Sequence, residues 1–368
     1  MKNFMIEIEA PGNERQSPSL LVHSPLGPQQ TQSAREPHAD MSSGFRTSTP
    51  ADEAQIAALL QRVFAVTSDD PLVNPSLLRW KYWDPRPDYP GPRSYVMDCD
   101  GEIIAHAGVW PVRPRTGSAE TGAHMIDWAS DASVPGAGVG LLRLLTRQYD
   151  FIYGIGGSDV ARSIFPRIGF RTVAQAITWT RPIRPWRQAL RQTRRDFRAP
   201  LRLARNLWWA ATPRRIVPAE WTLVKTSVSD VDRPCDQLSD REPAFFQYLA
   251  QCPAATCLTF DLFHRQRKAG FLALSVVGMQ ARMAGAWLDD PSAENWRSAL
   301  LLAQEAARLY TSAVEFICRC ASEASTLAAG AAGLRERSRA PVFAFRKDGT
   351  STPLPIQFQM SDNDAVFL

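Results

Sequence analysis

An aspartate and a histidine on adjoining strands, beside a turn of alternating glycines, are the residues of this sequence with the most chemistry to offer. Asp127 lies in His124 to Ser130, which reads as a strand, and His106 lies in Glu102 to Pro111, an earlier strand. A carboxylate or an imidazole within reach of a nucleophile can take its proton. An aspartate that merely hydrogen-bonds a neighbouring loop has the same signature, and both readings stand. Period-two alternation places His124, Ile126, Trp128 and Ser130 on one face and Asp127, Ala129 and Asp131 on the other.

The glycines are in Pro135-Gly136-Ala137-Gly138-Val139-Gly140, ahead of a helix expected over Leu141 to Asp150. Without Cβ atoms the backbone can approach a ligand closely, and the free amides of a helix start favour an anion such as a pyrophosphate. A glycine-rich turn with no ligand is the plain alternative. Two familiar phosphate loops are excluded by spacing: no Gly-Lys-Ser/Thr follows, and there is no G-x-G-x-x-G with an acid about twenty positions on. A strand at Phe151 to Gly156 and a short helix ending at Gly169 complete the unit.

The 368 residues, 45% hydrophobic and 21% charged, suffice for two domains with cores. No apolar run approaches a bilayer span and the N-terminus lacks a signal-peptide core, so a cytoplasmic location is expected. The six cysteines have no histidines near them and lack regular C-x2-C spacing. They read as reduced thiols with no metal. Residues 1–43, rich in Pro, Ser, Gln and Gly, read as a disordered leader. The hairpin Ser94 to Cys99 with Glu102 to Pro111 turns at Asp100-Gly101, and a helix is expected over Ala51 to Val66.

Between Arg181 and Arg215 stand eleven arginines and one acid, Asp196, in a chain of net charge +5; the rest of the molecule is therefore net acidic. Arg187, Arg191, Arg194, Arg198, Arg202 and Arg205 recur at helical steps opposite Trp186, Leu190, Phe197, Leu201, Ala204 and Trp208. The spacing predicts one amphipathic helix bent at Pro200. It can pack as a connector, lie through 185–210 on an anionic membrane surface, or touch nucleic acid. No nucleic-acid-binding motif accompanies it.

From Phe45 to Ala174, the order of elements resembles the GNAT acyltransferase superfamily. The likeness is carried by Phe45-Arg46-Thr47 and its helix, the hairpin, the strand into Pro135 to Gly140, and the closing Phe165 to Phe170. The resemblance implies an α/β fold with a mixed sheet, and acetyl-CoA or another acyl-CoA as co-substrate. The coenzyme would be held at Gly136, Ala137, Gly138, Val139, Gly140 and Leu141, with its pantetheine arm along Trp128 and Ser130. It implies an amine acceptor, with Asp127 or His106 as the base. Two departures stand out: Pro135 replaces the usual Arg or Gln, and Phe165 replaces a tyrosine that protonates the leaving thiolate. The aromatics of Leu77 to Tyr89 can stack on a sugar or adenine ring or simply pack a helix end onto the sheet; Trp80-Lys81-Tyr82-Trp83-Asp84-Pro85 is similar to an element of GNAT-like proteins of bacterial surface-polysaccharide assembly, which implies an amino-sugar acceptor.

The pattern begins again at Trp221, with strands at Trp221 to Thr226, Thr256 to His264, Lys268 to Val277 and Ala281 to Leu288. A helix at Trp296 to Tyr310, a strand at Ala313 to Cys320 and a helix at Ala321 to Ala332 follow. Strands at Val342 to Phe345 and Ile356 to Met360 close the sheet. The expectation is two tandem GNAT-like domains, 44–180 and 219–368, joined by a connector over 181–218. Asp289-Asp290 stands where the second glycine loop would be and would repel a pyrophosphate. The resemblance leaves two other functions open: a transferase of related tandem type using aminoacyl-tRNA, and a CoA-binding scaffold without turnover at a membrane assembly.

Overall fold

The computed structural model describes residues 43–112, 120–191, 199–211, 216–228, 243–350, 354 and 359–368. The expected leader lies outside these residues except for Ser43, which begins the first strand. The first half runs β1 (Ser43–Thr47), α1 (Glu53–Phe64), α2 (Pro75–Tyr82), β2 (Ser94–Cys99), β3 (Glu102–Val112), β4 (Gly122–Ser130), α3 (Ala137–Gln148), β5 (Phe151–Ile155), α4 (Asp159–Ile164) and β6 (Arg171–Pro182). Helices α5 (Pro185–Arg191) and α6 (Ala199–Ala211) follow. The second half runs β7 (Trp221–Thr226), α7 (Pro243–Ala250), β8 (Thr256–His264), β9 (Arg267–Val277), β10 (Gln280–Leu288), α8 (Ala293–Tyr310), β11 (Glu315–Cys320), α9 (Glu323–Ala331) and β12 (Arg335–Arg346).

The strands form one twelve-stranded mixed sheet in the order β1-β2-β3-β4-β5-β12-β6-β11-β10-β9-β8-β7. Exchanging each strand for its counterpart in the other half and reading from the far end returns the same order. The chain is thus a tandem repeat in which each half lends its last strand to the other: β12 lies between β5 and β6, and β6 lies between β12 and β11. Residues 43–368 form a single compact body as a result.

Local sequence accounts for the elements that matter. Ile56, Leu59 and Leu60 give α1 its buried stripe. Asp100 and Gly101 both take positive φ, as a two-residue hairpin turn requires. On one face of the sheet, Leu141, Leu142 and Leu145 of α3 pack on Ala105, Val109 and Met125. The corresponding residues Ala299, Leu300 and Ala303 of α8 pack on Leu272, Leu274 and Met283. A further core joins the halves. Trp80 stacks on Tyr248 at 4.7 Å and meets Trp110 and Phe367, each ring contributing about 1.5–3 kcal/mol by burial. The Trp80 element is therefore a packing element.

Three local expectations are corrected, and one is tested only in part. Helix α3 begins at Ala137 rather than Leu141, so Gly138 and Gly140 lie inside its first turn. In the arginine segment, residues 185–191 and 199–211 are helical, as the spacing predicts, and residues 192–198 between them are outside the described set. The strand expected at Val342–Phe345 is the end of the longer β12. Met360 begins a 3-10 turn, Met360–Asp362, and not a strand, while Ile356 is outside the described residues. No described helix is long and apolar enough to cross a membrane.

Candidate active site

Strands β4 and β5 are parallel and pair only through Gly122, Ala123 and His124. Beyond that point they part, and no described strand pairs with the outer edge of β4 up to Ser130. The N-terminus of α3 lies across this gap. Its first intrahelical bond is Gly140 N–H to Gly136 O at 2.8 Å, while the Ala137 N–H goes to Val134 O. The amides of Gly138 and Val139 thus precede the intrahelical ladder. Gly136 holds φ at +89°, the left-handed region that favours glycine. Gly138 has a different reason to be glycine: a Cβ there would stand 2.8 Å from Ser130 Oγ and 3.3 Å from Trp128 Nε1. Trp128 Nε1 donates to Gly138 O at 3.0 Å, tying β4 to the helix start.

The pairing of β3 with β4 carries a bulge. His106 is opposite Ala129 and Gly108 opposite Ile126, so β4 holds one extra residue between them. Asp127, at φ +49°, takes up the irregularity. The extra residue shifts the alternation of side chains and corrects the expected faces. Met125, Trp128 and Ser130 lie towards α3. Ile126, Asp127 and Ala129 lie on the opposite face, with α1 and α2.

Asp127 and His106, the two candidate bases, lie together inside a closed cluster. The Asp127 carboxylate accepts a 2.5 Å hydrogen bond from Tyr82 Oη and forms a 2.5 Å ion pair with the fully buried Lys81. Burial alone would raise the Asp127 pKa. The Lys81 ammonium, with the hydrogen bond from Tyr82, outweighs it and holds the carboxyl below its usual value. His106 spans Ser94 Oγ at 3.0 Å and Asp127 O at 3.1 Å, and burial pushes its pKa down to about 4, so it is neutral at pH 7. Leu141 is core. Phe165 is core as well, stacked on Trp128 at 5.8 Å and on Phe170 at 5.0 Å.

The chain's last residues run through the centre of this face. Trp110 Nε1 donates to Ser361 O at 2.9 Å and Tyr153 Oη to Asp362 O at 2.7 Å. From the second half, Ser275 Oγ donates to Val366 O at 2.6 Å. Asp364 is thereby placed within electrostatic reach of Asp127, Lys81 and Arg319. Burial first, and then the Asp127 charge, raise its pKa to about 6. The sequence offered Lys81 and Tyr82 only as members of the Trp80 element and gave no role to Arg319 or Asp364. The available signals were a lysine at a buried phase of α2 and an acid directly before the apolar ending Ala365 to Leu368.

The second half repeats the gap and fills it. Strands β10 and β11 pair only through Gln280–Arg282, and β10 carries a bulge between Met283 and Gly285. The Gln359 side chain occupies the open edge of β10, bonded to both backbone groups of Ala286. At the start of α8, Asp290 accepts from Ser292 N–H at 3.1 Å and from Asn295 Nδ2 at 2.7 Å.

No family model matches the sequence, and no curated protein does. Solved structures do. A GCN5-related N-acetyltransferase from Anabaena variabilis is similar at TM-score 0.53 and 10% identity, over 82% of this chain and 72% of that one. A putative acetyltransferase from Pyrococcus horikoshii gives 0.51 and 11%, over 88% and 96%. Saccharomyces cerevisiae N-myristoyltransferase, with bound myristoyl-CoA, gives 0.53 and 10%, over 85% of each chain. This chain has the GNAT fold. At such identities the likeness carries the fold alone, and the chemistry has to come from the site. The parted β4 and β5 with the start of α3 leave a groove in the first half, and the parted β10 and β11 form its counterpart, occupied by Gln359.

Proposed function

We propose that the protein is an N-acyltransferase that moves an acyl group, most simply acetyl, from acyl-CoA to an amine. The observation that carries this reading is the asymmetry of the two grooves: the first has an unpaired strand edge and a glycine helix start, whereas the second is filled by Gln359. The pantetheine arm adds to the free edge of β4 near Trp128 and Ser130. The pyrophosphate lies at Gly136–Leu141, held by the amides of Gly138 and Val139, because Pro135 offers no side-chain donor. The amine nitrogen attacks the thioester carbonyl, the C–S bond breaks, and the amine's proton passes to a carboxylate. Asp364 suits that step better than Asp127, since burial brings its pKa near neutrality while Asp127 is committed to Lys81 and Tyr82. Phe165 has no proton to give, so the thiolate is protonated from solvent. An amino sugar is the acceptor that the polysaccharide-assembly resemblance implies.

Calorimetric titration with acetyl-CoA tests the reading, with Gly138→Glu as the control that puts bulk and negative charge into the groove. Binding by the parent and its loss in the variant are expected. A folded parent that ignores acetyl-CoA but binds RNA in a salt-sensitive way would replace this reading with the tRNA-dependent one.

A second reading concerns the surface, and rests on α5 and α6. Trp186 (61% exposed), Leu190 (81%), Leu201 (71%) and Trp208 (62%) stand in solvent beside exposed Arg187 and Arg205. The described residues of 181–211 include no acid. Tryptophan and leucine among arginines is the composition of an interfacial helix, so this pair of helices rests on the anionic inner face of a membrane. Flotation with phosphatidylglycerol vesicles, but not phosphatidylcholine vesicles, is the expected result, and a Trp186→Ser, Leu190→Ser double variant should abolish it.

A further inference from the structure

Arg319 stands unpaired among the described residues. It lies on β11 opposite Thr178 of β6, past Ile317, where β11 and β10 part. Phe316, Cys318 and Cys320 join the core beneath α8, so alternation sends Arg319 to the face crossed by the chain's last residues. Among the described residues it makes no hydrogen bond and no ion pair, and its Nε and Nη1 are sealed from solvent. Burial pushes its pKa down, and the Asp364 charge opposes that. A buried guanidinium left unpaired is strongly unfavourable, and its planar fork of donors fits a carboxylate. Nearby, His124 stacks on Tyr153 at 4.9 Å with its Nδ1 also unpaired. Among the described residues, the Asp364 carboxylate accepts only from its own backbone N–H. It forms no ion pair with Arg319, although each feels the other's charge.

The buried donors of Arg319 and His124 have no acceptor among the described residues, and Asp364, whose charge Arg319 feels, is not bonded to either. We propose that Arg319 and Asp364 are the two ends of an acceptor clamp: Arg319, with His124, receives a carboxylate, and Asp364 receives the amine. The acceptor is thus an amine that also carries a carboxylate, such as an amino sugar with an acidic substituent or an amino acid. This assignment of substrate class rests on the reading that the site acylates an amine. Its geometry favours a zwitterion, whose charges match the two ends in opposite order. A neutral amino sugar would leave the Arg319 fork as bare as it is now, and a charged hydrogen-bonded pair discriminates by roughly tenfold or more.

Direct binding tests the clamp without requiring turnover. Muramic acid and glucosamine differ by a lactyl carboxylate, and β-alanine and β-alaninamide by the same change on a smaller frame. Calorimetry should show each acid binding at least tenfold tighter than its neutral counterpart. Arg319→Gln should erase that gap, and Arg319→Lys, which keeps the charge but not the fork, should retain part of it. Equal affinities within both pairs, or a gap that survives Arg319→Gln in a folded variant, would overturn the proposal. Acetyl-CoA titration of the same samples separates the two readings: discrimination between acceptors without coenzyme binding would leave the clamp standing and remove the acyltransferase.

Discussion

Gln359 treats Ala286 as a neighbouring strand would. Its side-chain amide accepts from the Ala286 N–H at 2.7 Å and donates to the Ala286 carbonyl at 2.6 Å, closing the open edge of β10 with the pair of bonds an extended amide ligand would make. The second groove is therefore filled by the protein's own chain. Gln359→Ala should leave two buried backbone groups unpaired and cost about 1–3 kcal/mol, read as a shift in urea midpoint. Acetyl-CoA should bind with a stoichiometry of one to the parent; two sites on the parent would mean that Gln359 does not block the groove.

The glycines of α3 separate by what a methyl group would meet. At Gly138, a Cβ would press on Ser130 Oγ, which sits on a strand with little freedom to move, and would disturb the Trp128 bond to Gly138 O. Gly138→Ala should cost about 1–3 kcal/mol through overpacking. At Gly140, the nearest atom is the flexible end of Met97, at 3.3 Å. Gly140→Ala should be neutral or stabilise by up to about 1 kcal/mol through helix propensity. Thermal unfolding of the two variants side by side checks the contrast.

Lys81 and Asp127 form a pair whose removal by halves should be worse than its removal whole. Lys81→Met leaves a buried carboxylate held only by Tyr82, at a cost of about 3–5 kcal/mol. Adding Asp127→Asn removes the stranded charge and should recover most of that loss. A double-mutant cycle from urea unfolding measures the coupling, and additive costs would show that the ion pair does not hold the bulge.

How much of this was legible beforehand follows from the range of the interactions. Hairpin and helix positions depend on neighbours in sequence, and Asp100-Gly101 or the stripe of α1 could be read directly. The faces of β4 could not, because one inserted residue at Asp127 reverses the alternation and nothing local announces a bulge. The strand exchange at β6 and β12 was hidden too, since both strands have ordinary sequences and the swap is decided by pairing across about 160 positions. The charged cluster draws Lys81, Asp127, Arg319 and Asp364 from four distant segments. Sequence reasoning therefore reached Asp127 and His106 but not the residues that set their charge.

Asp364 should appear in the rate as well as in binding. Burial and the Asp127 charge hold its pKa near 6 against Lys81 and Arg319, which pull it down. A base works deprotonated, so kcat/KM should fall with unit slope as pH drops through about 6, beneath any limb due to the amine itself. Asp364→Asn should lower kcat by about 10²–10⁴-fold and remove that limb. An unchanged limb in the variant would assign the proton to another group.

Stability should depend on acid in the opposite sense to what Asp364 alone would give. His106 and His124 are held by burial at about 4 and about 3, below the unfolded value near 6.5. Between pH 4 and 6 the unfolded chain therefore binds two protons that the folded protein refuses. Asp364, raised to about 6, makes the folded protein bind one that the unfolded chain refuses. The difference is one proton in favour of the unfolded state, so stability rises with pH across this window. It is fully present above about 6.5 and is lost on acidification. Urea midpoints taken from pH 7 to pH 4 should fall steadily, and His124→Phe, which removes one of the two histidines, should flatten the slope. A midpoint that rises on acidification would show that Asp364 governs instead.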